Sequence, residues 1–123
     1  MLRYSLMTKV QEAALPACLS GRDVLARAKT GTGKTLAFLI PSINALASLP
    51  GGQPPGCVSC LVLSPTRELA VQISKEADAL LTFHAMKAQC VYGGTNMSAE
   101  QKRVASSRCD VLVATPGRVR IHA

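Results

Sequence analysis

The chain has 123 residues, 48% of them hydrophobic, with no tryptophan and only two tyrosines and two phenylalanines. It is at most one small domain with an aliphatic core. Fourteen Lys and Arg against seven Asp and Glu leave a net charge of +7, which suits a polyanionic partner such as nucleic acid or nucleotide.

Thr8 followed by Gln11 has the form of a capping box, and Val10, Ala13, Ala14, Ala17 and Cys18 then recur at helical spacing. Ser20-Gly21 should end this helix. Asp23-Val24-Leu25-Ala26-Arg27 reads as a short buried strand, followed by Ala28-Lys29-Thr30-Gly31-Thr32-Gly33-Lys34-Thr35. The octet is a phosphate-binding loop lacking only its first glycine, where Ala28 stands. Its glycines let successive amides converge on phosphate oxygens. Lys34 can reach the outer phosphates, and the Thr35 hydroxyl can take a magnesium site. A helix is expected from about Lys34 to Ser48, with its N-terminus facing the anion and a kink at Pro41.

Leu49 to Gly56 reads as a loop rich in Pro and Gly. The stretch from Thr35 to Thr66 carries no charge. Pro41, Pro50, Pro54, Pro55, Gly51, Gly52 and Gly56 interrupt it, so no membrane span is expected. The N-terminus lacks a charged segment followed by an apolar one, which argues against a signal peptide. Cys57 and Cys60 make a lone Cys-x-x-Cys. His84 and His122 lack metal spacing to it, so it reads as a loop thiol beside a strand thiol. Five cysteines, Cys18, Cys57, Cys60, Cys90 and Cys109, show no framework pattern. They fit a reducing, intracellular compartment, with nucleus, cytoplasm and organelle all open.

Cys60 to Ser64 should be a second strand. A helix should then run from Thr66 to about Phe83, with Leu69, Ile73, Ala77 and Leu80 on one face. Ala88 to Tyr92 reads as a third strand ending at Gly93-Gly94. Ser98 and Gln101 offer a capping box for a helix to about Ser107, and Asp110 to Ala114 is a fourth strand. Strands alternate with helices, and the second and fourth strands are continuous apolar runs. That pattern predicts an α/β fold with a mostly parallel sheet covered by helices on both faces.

The octet, Pro65-Thr66-Arg67-Glu68-Leu69-Ala70, Gly93-Gly94 and Thr115-Pro116-Gly117-Arg118 occur in one order along the chain. In that order they resemble motifs I, Ia, GG and Ib of the DEAD-box RNA helicases, and Thr8-Lys9-Val10-Gln11 resembles that family's Q motif. The resemblance covers nearly the whole chain. It implies part of a RecA-like ATP-binding domain over residues 1–123, ending before an Asp-Glu-Ala-Asp run and without a second domain. It implies ATP with Mg²⁺ as cofactor, bound by Gln11, Ala28, Lys29, Thr30, Gly31, Thr32, Gly33, Lys34 and Thr35. Of the catalytic set it implies only Lys34 and Thr35.

The Gln11 amide offers a donor and an acceptor to adenine. RNA, single-stranded or duplex, would be held through its backbone without sequence preference by Pro65, Thr66, Arg67, Gly93, Gly94, Thr115, Gly117 and Arg118. Thr66 also reads as a helix N-cap and Gly93 as a turn. Glu68 would orient Arg67 or a nearby amide, and Lys102, Arg103 and Arg108 read as a solvated face. Arg3 and Met7 depart from the family's usual residues around the Q motif. Phosphoryl transfer needs metal ligands, an oriented nucleophile and charge at the transition state, so no turnover or unwinding is expected from these residues alone. The alternative is a non-catalytic fragment that binds nucleotide or RNA. A different kind of P-loop enzyme would leave Pro65–Ala70 and Thr115–Arg118 unexplained.

Overall fold

The computed structural model describes residues 6–29, 33–48, 58–92, 102 and 109–117. The chain forms two compact units, Met1–Pro50 and Gly51–Ala123.

The first unit is a pair of packed helices, α1 (Lys9–Leu19) and α2 (Lys34–Ala47). Thr8 starts α1 through a complete capping box: its Oγ1 accepts the Gln11 amide, and Gln11 Oε1 accepts the Thr8 amide. The helix ends at Ser20, and Gly21 takes a φ of 86°, a left-handed turn that suits a residue without Cβ. Its buried residues are Gln11, Ala14 and Leu15, so of the expected face only Ala14 is buried. The glutamine's hydrogen bonds draw it inward and turn the buried stripe toward it. α2 runs through Pro41 and buries Leu36, Ala37, Leu39, Pro41 and Ile43.

Asp23–Arg27 forms no strand. These residues have no regular structure, and all of them, including the apolar Val24 and Leu25, are exposed. A strand exists only through a hydrogen-bonded neighbour, and no described segment pairs with this one. Its apolar run alone does not supply the pairing.

The second unit holds three parallel strands, β1 (Cys60–Leu63), β2 (Ala88–Val91) and β3 (Val111–Ala114), and one helix, α3 (Arg67–Leu81). The sheet order is β1-β3-β2, with Leu63 and Val91 both in register with Ala114. Asp110 gathers the N-terminal ends. Its amide donates to Lys87 O, its Oδ2 accepts the Lys87 amide, and its carbonyl accepts from Ser59 and Cys60.

β3 is buried at all four positions, as expected of a central parallel strand. β1 is not, because Leu61 and Leu63 are 48% and 56% exposed. Among the described residues, then, only β3 is buried along its whole length, and α3 packs over β2 and β3. On α3 the buried residues are Ala70, Ile73, Ala77 and Leu81, while Leu69 is exposed. Ala70 and Ala77 are fully buried because small side chains let a helix approach a sheet closely. The loop expected over 49–56 lies outside the described residues. So does the helix expected over 98–107, apart from the helical Lys102.

Candidate functional site

In the first unit, Gln11 joins two elements that are 22 positions apart. Its Oε1 accepts the Thr8 amide at 3.1 Å, and its Nε2 donates to Gly33 O at 3.1 Å. Only 6% of Gln11 is exposed. An amide carries two donor hydrogens and two acceptor lone pairs, so one of each stays uncommitted by these bonds. The capping role and a further ligand are therefore compatible.

Gly33 is the N-cap of α2, with φ 80°. A Cβ there would collide with Gln11 Nε2 and lie 3.2 Å from both Gln11 Cδ and Thr8 Cγ2. Glycine is required twice, by backbone conformation and by the amide packed against it.

Gly33 makes no side-chain cap, and α2 has no acidic residue in its first turn. The first amides of a helix lack intrahelical acceptors and carry partial positive charge. With no acidic residue in its first turn, this terminus is suited to an anion. Lys34 and Thr35 stand in that first turn, both half-buried. Lys34 Nζ donates to Ala28 O at 2.7 Å, so its ammonium lies against the first residue of the octet. Gln11, Ala28, Gly33 and Lys34 are thereby brought together. Lys29 is exposed nearby in sequence, and Thr30, Gly31 and Thr32 lie outside the described residues.

In the second unit, parallel pairing puts the C-terminal ends of all three strands at one edge. Ser64 N donates to Ala114 O at 2.9 Å, and Thr115 N donates to Val91 O at 3.1 Å. The segment Pro65-Thr66-Arg67 leaves β1 exposed, beside Thr115-Pro116-Gly117 leaving β3, where Thr115 is half-buried and Gly117 exposed. The open end of a parallel sheet is where such folds take ligands. Thr66 caps α3, its Oγ1 accepting the Leu69 amide at 3.2 Å. That bond uses a lone pair and leaves the hydroxyl hydrogen to donate. Nothing lies within 4 Å of a Cβ placed on Gly117, so packing does not require glycine there. Gly93, Gly94, Arg118, Arg103 and Arg108 lie outside the described residues, and Lys102 is exposed.

Two features are not legible from motif spacing. The Gln11–Gly33 bond joins separate motifs and has no local signal. Ser64, buried at a strand end, reads in the sequence only as the last residue of an apolar run. Cys60 is not in a disulfide, Cys57 is outside the described residues, and no group of three metal-ligating side chains forms among the described residues. Likewise no helix among them is long and apolar enough to cross a membrane.

A family model described as DEAD/DEAH box helicase matches residues 8–123. DEAD-box ATP-dependent RNA helicase 25 of Oryza sativa subsp. japonica is 50% identical over 123 residues, spanning 97% of this chain and 21% of that protein. DEAD-box ATP-dependent RNA helicase 31 of Arabidopsis thaliana is 51% identical, spanning 97% and 17%. The chain thus spans about a fifth of the length of the curated relatives it matches.

The crystal structure of the yeast DEAD-box splicing factor Prp28 superposes with a TM-score of 0.88 at 33% identity, over 97% of this chain and 29% of that one. A hypothetical ATP-dependent RNA helicase from Sulfolobus tokodaii gives a TM-score of 0.81 at 35% identity, over 97% and 32%. The fold is accordingly part of a RecA-like α/β helicase domain. With the match running over residues 8–123, the chain belongs to the DEAD/DEAH box helicase family.

Proposed function

We propose that this chain is the ATP- and RNA-holding part of an ATP-dependent RNA helicase. The observation that carries the reading is the uncapped N-terminus of α2, with Gly33 tied to Gln11 and Lys34 reaching across to Ala28. In this reading the amides from Ala28 through Gly33, including those of Lys29, Thr30, Gly31 and Thr32, surround the phosphates. Lys34 exchanges the neutral Ala28 carbonyl for anionic outer phosphate oxygens, so that both partners of its bond are charged. Thr35 supplies a hydroxyl to the Mg²⁺ that accompanies ATP, and Gln11 offers its remaining donor and acceptor to adenine.

RNA lies along the C-terminal edge of the second unit's sheet. Pro65, Thr66, Arg67, Thr115 and Gly117, with Gly93, Gly94 and Arg118, contact its sugar-phosphate backbone. Hydroxyls, amides and guanidinium groups suit phosphate and carry no base preference. A polypeptide of these 123 residues binds both ligands but does not turn ATP over. Lys34, Thr35 and loop amides supply charge and position but no activated water, and the sequence has no Asp-Glu-Ala-Asp run.

The RNA half is tested by titrating labelled single strands of different sequence at several salt concentrations. Affinity should be alike across sequences and fall steeply as salt rises. A strong preference for one sequence, or affinity indifferent to salt, would contradict backbone binding.

A further inference from the structure

We propose that Ser64 is a positioning residue for RNA binding, one that holds the two backbone-binding segments in fixed relation through its own hydrogen bonds. The inference rests on the reading that residues 65–67 and 115–117 contact RNA. Ser64 itself is only 1% exposed, so it touches no ligand.

Its two polar groups face the two segments. The Ser64 amide donates to Ala114 O at 2.9 Å, fixing the base of the segment that leaves β3. Its hydroxyl donates to Thr66 O at 3.0 Å, folding Pro65-Thr66 back over the end of β1. The Thr66 carbonyl also accepts the Ala70 amide at 3.0 Å, the first bond of α3. Both of its lone pairs are then used, and the N-cap is held from the helix side and from the strand side. The Thr66 hydroxyl and the start of the Arg67 side chain are carried by this doubly held turn. One buried hydroxyl thereby sets the angle at which an exposed hydroxyl and a guanidinium meet a strand of RNA.

The amide bond survives any substitution except proline, so the hydroxyl is the part that can be tested. Removing it leaves no orphaned acceptor, because Thr66 O keeps its bond from Ala70. The turn loosens while α3 stays capped. Ser64→Ala should therefore raise the dissociation constant for single-stranded RNA about fivefold, the worth of one net hydrogen bond. ATP affinity should stay near wild type, and the thermal midpoint should fall by only a few degrees, the folded-state cost of the same bond.

Ser64→Thr and Ser64→Val settle the cause. The two are matched in shape and differ in the hydroxyl, so any crowding by the added methyl is common to both. Ser64→Thr should bind RNA more tightly than Ser64→Val by a similar factor. Equal RNA binding by Ser64→Ala and wild type, or by the Thr and Val variants, would overturn the positioning role alone. A folded wild-type chain that binds no RNA would overturn the underlying reading, and this proposal with it.

Discussion

Gln11 and Gly33 form the most closely specified contact in the first unit. The Gln11 amide closes the capping box of α1 and anchors the carbonyl of the α2 N-cap. Gln11→Glu separates these roles. A carboxylate still accepts the Thr8 amide but cannot donate to Gly33 O, and it sets negative charge beside the anion site. It should fold with α1 intact while losing ATP affinity by at least the about fivefold worth of one hydrogen bond, as a nucleotide titration would show. Gly33→Ala faces both a left-handed φ of 80° and a collision with Gln11 Nε2. The conformational penalty alone is about 1–3 kcal/mol. A lowered denaturation midpoint together with weakened ATP binding is expected, and an unchanged pair of values would contradict the geometry.

At the scale of elements, caps and small residues decide. Thr66→Ala removes the acceptor for the Leu69 amide and should cost about 1 kcal/mol of stability in chemical denaturation. Burial pushes the carboxyls of Glu76 and Asp78 above their ordinary values. A carboxyl raised on folding binds its proton more tightly in the native state, so stability from these groups rises as pH falls through the window above the unfolded values of about 4. Glu76→Gln with Asp78→Asn should flatten that rise in denaturation midpoints measured across weakly acid pH.

Helix starts are legible at this scale because Thr8-x-x-Gln11 and Thr66 announce themselves by local chemistry. The buried face of α3 is less so: Ile73 and Ala77 are buried as their spacing suggests, but a preference for burying leucine puts Leu69 where Ala70 makes the close helix–sheet contact. Residues 23–27 mislead for a related reason: pairing is a property of neighbours, and an apolar run does not encode its partner.

For the whole molecule, five motifs in order carry the resemblance to the family before any coordinate, because most of them have their own phosphate or backbone chemistry. Parallel order then explains why segments some fifty positions apart, at Pro65 and Thr115, emerge side by side: Leu63 and Ala114 share a register. What no motif conveys is how the segments are tied, through Gln11 to Gly33 in one unit and through Ser64 to Ala114 and Thr66 in the other. Those bonds depend on tertiary placement.

The central claim is that α2's N-terminus with Lys34 holds the phosphates of ATP. ATP binding by the purified chain beside Lys34→Ala, with both variants checked for cooperative unfolding, tests it most directly. Magnesium-dependent binding by the wild type that disappears with Lys34→Ala is the predicted result. Equal affinity in the two folded proteins, or no binding by the folded wild type, would contradict it.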